Sequence, residues 1–423
     1  MIGFLIGFCI LGVGFVGARL EYVNRSPVFL FYLAICVLFS FPTFEAMIGP
    51  SEFPEWVYVD ASFFALLYLI CFVVTRYIVV SGWGLASIWS GLFEALRDWG
   101  APKNSWIIPA CLLASILFFL TGLGIYSVNA AFSINWWDLV HSGSPLVLLA
   151  TYTAYSASCL LILVHLWRKD FPRAFYISAG LSVFFLVFSV FVLKTRSYAL
   201  MLLVPYFYFV LCGKGKSGFV GLLFLSVGTA FVFVLTRAVR HAEDLNQFLS
   251  FGLSYFWGDA ASGVETDFVK AFYFFVYKGD AFVGFGENIT LQRVLLFWLP
   301  SFGDWVKPPD FSYVMHSAYY GSALEDSLSM HPTVFGDAFG NAGYVGALTY
   351  STLLALYFSG VEYLVKASRS YLLKLSAFSL MCVCALIFAR GAIYNAFMFS
   401  LLPLILVAAA IIFASLFGRL RLR

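Results

Sequence analysis

The chain has 423 residues, 62% of them hydrophobic and 20% aromatic, with only 11% charged and a formal net charge of +3. Its mean hydropathy is +0.92. Soluble globular chains carry about a quarter charged residues, so this composition excludes that class and predicts an all-α polytopic membrane protein. The 49 Phe and 11 Trp exceed what spanning a bilayer needs. They suggest aromatic belts or a groove for lipid or sugar, weighed against the plainer role of packing and lipid contact. All eight cysteines fall in apolar runs, so no disulfide framework is expected, and Cys382 and Cys384 read as small packing residues.

In chain order, runs of about 20 apolar residues predict eleven spans: 1–18, 27–46, 57–80, 105–127, 143–166, 173–193, 197–213, 217–236, 341–363, 372–389 and 393–417. The first lacks a basic leader and is followed by Arg19 and Arg25, so it reads as a span rather than a cleaved signal. Residues 81–99, with Trp83, Trp89 and Leu92 beside Glu94, Arg97 and Asp98, read as an interfacial helix. Three regions result: spans one to eight over 1–236, a long outer loop over 237–340, and spans nine to eleven over 341–423.

Charge orients these spans. Arg19, Arg25, Arg76, Arg97, Lys103, Arg168, Lys169, Arg173, Lys214, Lys216, Lys366, Arg369, Lys374, Arg419, Arg421 and Arg423 share one side, sixteen of the 25 Lys and Arg. That side is expected to be cytoplasmic, which puts the N-terminus in the periplasm and the C-terminus in the cytoplasm. The opposite side receives seventeen of the 22 carboxylates and the whole long loop. A loop of that length is not idle linker. Within it, residues 268–277 are apolar but too short to cross, so helices lying on the outer leaflet are expected, with Trp257, Tyr273, Trp298 and Trp305 at headgroup depth.

The outer side retains several arginines where the positive-inside rule disfavours them: Arg196 in a tight connection, Arg237 and Arg240 after span eight, Arg293 in the loop, and Arg390 between spans ten and eleven. The planar, permanently charged guanidinium suits phosphate, although a single arginine more often snorkels to headgroups or pairs with an acid. His331 precedes span nine in what reads as a Gly-rich turn, and Asp337 follows six residues later, close enough to orient it or replace it as a base. His141, His316, Glu325 and Asp326 are weaker candidates. No His, Cys and carboxylate spacing matches a zinc site, and Gly213-Lys214-Gly215-Lys216-Ser217 lacks P-loop spacing. No metal, cofactor or nucleic acid is therefore expected. Arginines, a base and aromatic surfaces suggest transfer from a lipid-borne, pyrophosphate-activated donor, the arginines stabilising the leaving group.

Three segments carry a family resemblance. Leu193-Lys194-Thr195-Arg196-Ser197-Tyr198-Ala199-Leu200 resembles the outer turn opening a span in Wzy-type O-antigen polymerases and O-antigen ligases, with Ser197 where glycine is common. Leu296-Phe297-Trp298-Leu299-Pro300 and Trp305-Val306-Lys307-Pro308 are similar to the proline and Lys-Pro segments of oligosaccharide repeat-unit polymerases. His331-Pro332, Gly336-Asp337, Gly340-Asn341, Gly343 and Gly346 resemble the entry to the span after their large loop. The ligase signature is matched loosely, by Arg293 with Phe297.

The resemblance implies a GT-C-like glycosyltransferase of the bacterial inner membrane. It would move a glycan chain from undecaprenyl pyrophosphate to a hydroxyl of the next lipid-linked repeat. Its arginines would hold pyrophosphate, His331 would serve as base, and a chain-length regulator and a flippase would be partners. The alternatives are an O-antigen ligase and, from another class, a polysaccharide flippase. The second should show charged residues buried in its spans, whereas these spans read as nearly free of them.

Overall fold

The computed structural model describes residues 2–40, 52–79, 84–98, 161–191, 196–222, 264–297, 306–324, 330–391 and 393–401, with isolated positions besides. Among them the protein is all-helical, without strands. Gly3–Val23, Glu55–Ile78 and Tyr371–Arg390 are each long and apolar enough to cross a bilayer. Such helices, with every backbone group bonded internally and apolar side chains such as Phe8, Phe15, Phe63 and Ile70 outermost, mark a membrane-associated chain.

The chain divides into two units. The first comprises Met1–Ser90, Gly263–Ala367 and Cys384–Met398; the second comprises Gly91–Ser262, Ser368–Val383 and Phe399–Arg423.

In the first unit, α1 (Ile2–Val23) packs on α2 (Phe29–Ile35) and α3 (Glu55–Val74), and both α2 and α3 run on as π-helical turns, Cys36–Ser40 and Thr75–Val79. Between these and the long loop falls α4 (Ile88–Asp98), which extends into the second unit. That unit holds α5 (Pro172–Phe191), packed on α6 (Arg196–Leu211). Its rings cluster: Phe209 lies 4.7 Å from Phe93 and 6.1 Å from Phe378.

The chain then supplies α7 (Val264–Lys278), α8 (Ile289–Leu295), α9 (Phe311–Tyr320), α10 (Thr333–Ala342) and α11 (Val345–Ala367) to the first unit. Helix α12 (Tyr371–Arg390) closes the series, its first part in the second unit and its end in the first. Asp310 caps α9, its carboxylate accepting from the Ser312 N–H at 3.0 Å, and Gly321 ends that helix in the left-handed conformation at φ +67.

Three expectations change here. The apolar face of helix α7 is turned to protein: Phe272, Tyr273 and Phe275 are fully buried, and the helix packs against α10 and α3. Tyr273 is enclosed by protein, while Trp257, Trp298 and Trp305 lie outside the described residues. The apolar stripe of α4 is likewise covered by protein, with Trp89, Leu92, Phe93 and Leu96 buried. Many of the described phenylalanines form a ring-on-ring core, while Phe8, Phe15 and Phe63 stay outermost. Phe39 meets Phe335 at 4.7 Å, Phe64 meets Phe339 at 5.2 Å, and Phe31 meets Phe72 at 5.0 Å. Offset and edge-on rings fill such spaces with large area and few rotatable bonds.

The Tyr273 hydroxyl donates to Thr43 Oγ1 at 3.0 Å, and Thr43 donates to the Phe39 carbonyl at 2.7 Å. Tyr273→Phe should cost about 1 kcal/mol, read by thermal unfolding. An unchanged midpoint would show that the hydroxyl pair contributes nothing.

The third change concerns charge. Arg76, placed above with the solvent-facing positives, is 5% exposed and contacts Glu21 and Glu362, each 1% exposed. The helices thus bury ionisable groups that linear reading counted as loop charges.

Candidate functional site

The segment from His331 to Gly343 is not an open Gly-rich turn. After Pro332 the chain passes through Thr333 at φ +66, a left-handed conformation costly for a β-branched residue, and then forms α10. Residues Thr333 to Asn341 are all buried. The helix glycines meet protein: a Cβ on Gly340 would stand 2.9 Å from the Phe311 ring, and one on Gly346 would stand 2.1 Å from the Ala338 carbonyl oxygen. Absence of side chains is what lets α11 start tight against α10.

Asp337, 4% exposed, is the hub of α10. Its Oδ1 accepts from Thr290 Oγ1 at 3.0 Å and Asn341 Nδ2 at 2.8 Å, and its Oδ2 accepts from the Ile393 N–H at 3.2 Å. Asn341 also grips Thr290 from both sides, donating to its hydroxyl at 2.9 Å and accepting from its N–H at 2.9 Å. The first turn of α8 and the turn after α12 are thereby tied to α10. Burial pushes the Asp337 carboxyl up to about 7, against the opposing pull of these donors.

His331 is 7% exposed, and its Nδ1 has no hydrogen-bond partner among the described residues. It is not hydrogen-bonded to Asp337, whose oxygens are engaged elsewhere, so the expected orienting contact between the two is not formed. Burial, then the nearby Arg390 charge, hold its pKa well below the usual histidine value. The imidazole is consequently neutral, with a lone pair in reserve.

Arg390 is exposed, and its guanidinium carbon lies 4.7 Å from the centre of the Phe268 ring. Gly391 follows at φ +92, with the space for a Cβ already occupied by the Thr333 carbonyl. Beyond it, Tyr394 receives the Arg293 guanidinium at 4.7 Å, and Arg293 Nη1 donates to the Pro308 carbonyl. Lys307 donates to the Phe297 carbonyl at 3.0 Å, and burial with the Arg293 charge lowers its pKa.

The structure thus brings Arg293, His331, Asp337 and Arg390 around the turn from Arg390 to Tyr394. Arg196 opens α6 in the other unit. Arg237, Arg240, His141, Glu325 and Asp326 lie outside the described residues. His316 sits in α9, its ring 4.6 Å from that of Tyr320. Among the described residues no three His, Cys, Asp or Glu are grouped as a metal would require.

Thr290 and Tyr394 were not singled out in the sequence, and Asn341 and Phe268 were given no part in the site. Only Tyr394-Asn395, a polar pair just past Arg390 in an apolar run, offered a signal. A small polar cleft of about 10 Å3 lies among Thr290, Asp310, Asp337, Gly391 and Tyr394, and an apolar one of about 250 Å3 is lined by Leu291, Val294, Leu353, Leu354, Tyr357 and Phe397; Thr290 and Ile393 line both.

Compared with protein-family models, curated proteins and solved structures, the chain matches none.

Proposed function

We propose that this membrane-associated chain is a polysaccharide repeat-unit polymerase, a GT-C-like enzyme with about eleven spans in a bacterial inner membrane. It acts on the periplasmic face, handing a glycan from undecaprenyl pyrophosphate to a hydroxyl of the next lipid-linked repeat. The observation that carries this reading is the neutral, buried His331 with an unengaged Nδ1 beside the exposed Arg390.

A base must be deprotonated before it can accept the acceptor hydroxyl's proton, and burial first, then the Arg390 charge, keep His331 so. The same guanidinium, with Arg293 and Lys307, supplies positive charge for the departing pyrophosphate, and Arg196, Arg237 and Arg240 are the further candidates for that clamp. Asp337, with both oxygens engaged, acts as a positioning residue that holds α8 and the Arg390 turn in place. The apolar cleft alongside suits part of an isoprenoid tail, since its lining is almost wholly hydrocarbon and ring surface and it shares Thr290 and Ile393 with the polar one.

His331→Ala and Arg390→Ala, made at normal expression level in a polymerase-deficient host, should lose long polysaccharide ladders, as should Arg196→Ala. Arg390→Lys should restore them only in part, because the ammonium lacks the planar fork. Wild-type ladders from His331→Ala and Arg390→Ala would overturn the catalytic assignment. A reporter fused after Asp259 should be active only in the periplasm; cytoplasmic activity would overturn the orientation.

A flippase is the second reading. One observation favours it: the buried Arg76 cluster, since ion-coupled carriers place charges inside their helices. Accumulation of untranslocated lipid-linked repeats in a deletion strain, in place of single translocated repeats, would select it.

A further inference from the structure

The Arg76 cluster stands apart from the candidate site and does not rest on the polymerase reading. It joins α1, the π-helical turn after α3, and α11. Arg76 Nε and Nη2 donate to Glu21 Oε1 at 2.9 Å and Oε2 at 3.3 Å, a two-pronged pairing. Its Nη1 donates to Ser359 Oγ at 2.8 Å, and its Nη2 also reaches Glu362 Oε1 at 2.5 Å. Ser26 Oγ donates to the same Glu362 oxygen at 2.9 Å. Tyr77 from the π-helical turn and Tyr32 from α2 complete the surroundings of Glu21.

One guanidinium therefore faces two carboxyls, all three side chains at most 4% exposed. With both carboxyls ionised the cluster would carry a net negative charge in a low-dielectric interior, which is strongly disfavoured unless it is neutralised. The two carboxyls are not equivalent. Glu21 receives an N–H on each oxygen, the arrangement that suits an anion. Glu362 receives both of its donors on Oε1, and its buried Oε2 has no hydrogen-bond partner among the described residues.

We propose that Glu362 is a proton-binding site: its Oε2 carries a proton taken from water at neutral pH, while Glu21 alone balances Arg76. The ligand is a proton rather than a metal cation, because among the described residues no group of three His, Cys, Asp or Glu could hold a metal and the guanidinium already bridges the two carboxyls. Releasing that proton places a second negative charge opposite Glu21 and drives α11 away from α1.

The test is infrared spectroscopy of the purified full chain in lipid nanodiscs at neutral pH. The wild-type-minus-Glu362→Gln difference spectrum should contain a carboxylic-acid carbonyl stretch, isolated in this way from any contribution of Asp337. Glu21→Gln should abolish the same band, because Glu362 must then ionise to balance Arg76. Glu362→Gln should keep the wild-type unfolding midpoint, an amide being a neutral replacement for a neutral acid. No acid band in the wild-type difference, or a band that persists in Glu21→Gln, would overturn the proposal. Failure of Glu362→Gln to fold would also overturn it, because it would show that the ionised form is required.

Discussion

Gly391→Ala should unfold the first unit at a markedly lower temperature than the wild type, with a loss of about 3 kcal/mol or more. Two costs combine. Alanine at φ +92 enters a region disfavoured by about 1–2 kcal/mol for an L-residue. Its Cβ would also stand 2.2 Å from the Thr333 carbonyl oxygen and 2.4 Å from the Thr333 carbonyl carbon, both backbone atoms that cannot rotate away.

Relief requires the turn after α12 to move, and that movement draws the Ile393 N–H off Asp337. Gly279 supplies the control: it has φ +54 and nothing within 4 Å of an added Cβ, so Gly279→Ala should pay the conformational cost alone. Equal losses for the two variants, measured by thermal unfolding in nanodiscs, would show that contact with Thr333 is unimportant.

The second large effect is a pH dependence centred on Asp337. Its carboxyl lies at about 7 in the folded chain against an ordinary 3.8. Between those values the folded state binds more protons than the unfolded one, so stability falls as pH rises. The contribution is fully present below about 4 and is lost as pH climbs through about 7, a span of about 4 kcal/mol at 1.36 kcal/mol per unit.

Asp337→Asn should flatten this part of the slope. It should also lower the acid-side stability by about 1–3 kcal/mol, because the amide NH2 opposes one of the three donors. Denaturant stability is compared for the two proteins from mildly acidic to mildly alkaline buffer, and only their difference is read, since other groups titrate too. A variant slope equal to that of the wild type would refute the assignment to Asp337.

Much of the helical plan could be read in advance. The expected spans 1–18, 57–80, 173–193, 197–213 and 372–389 coincide closely with α1, α3 with its π-helical turn, α5, α6 and α12. Hydrocarbon length and backbone satisfaction act locally, so an uninterrupted apolar run is enough to announce such a helix. The arginines near the site were also legible, because a cation next to an apolar run is conspicuous.

What could not be read was pairing across the chain. Helix α10 hid as a turn because Gly336, Asp337, Gly340 and Asn341 look polar and flexible in line. Only packing shows that the glycines admit Pro332 and Phe311 and that Asp337 and Asn341 bond to Thr290. His331 drew attention as a base, yet its neutrality comes from burial and from Arg390, which lies fifty-nine residues away.

The sequence by itself determined that this chain is helical and membrane-associated, because composition and run length fix the medium a segment can occupy. Only the tertiary structure decided which charges are buried, that α7 is core, and that Arg76 faces two carboxyls. Those outcomes depend on contacts between residues as far apart as 26 and 362, and a linear pattern does not encode which distant groups will share a low-dielectric interior.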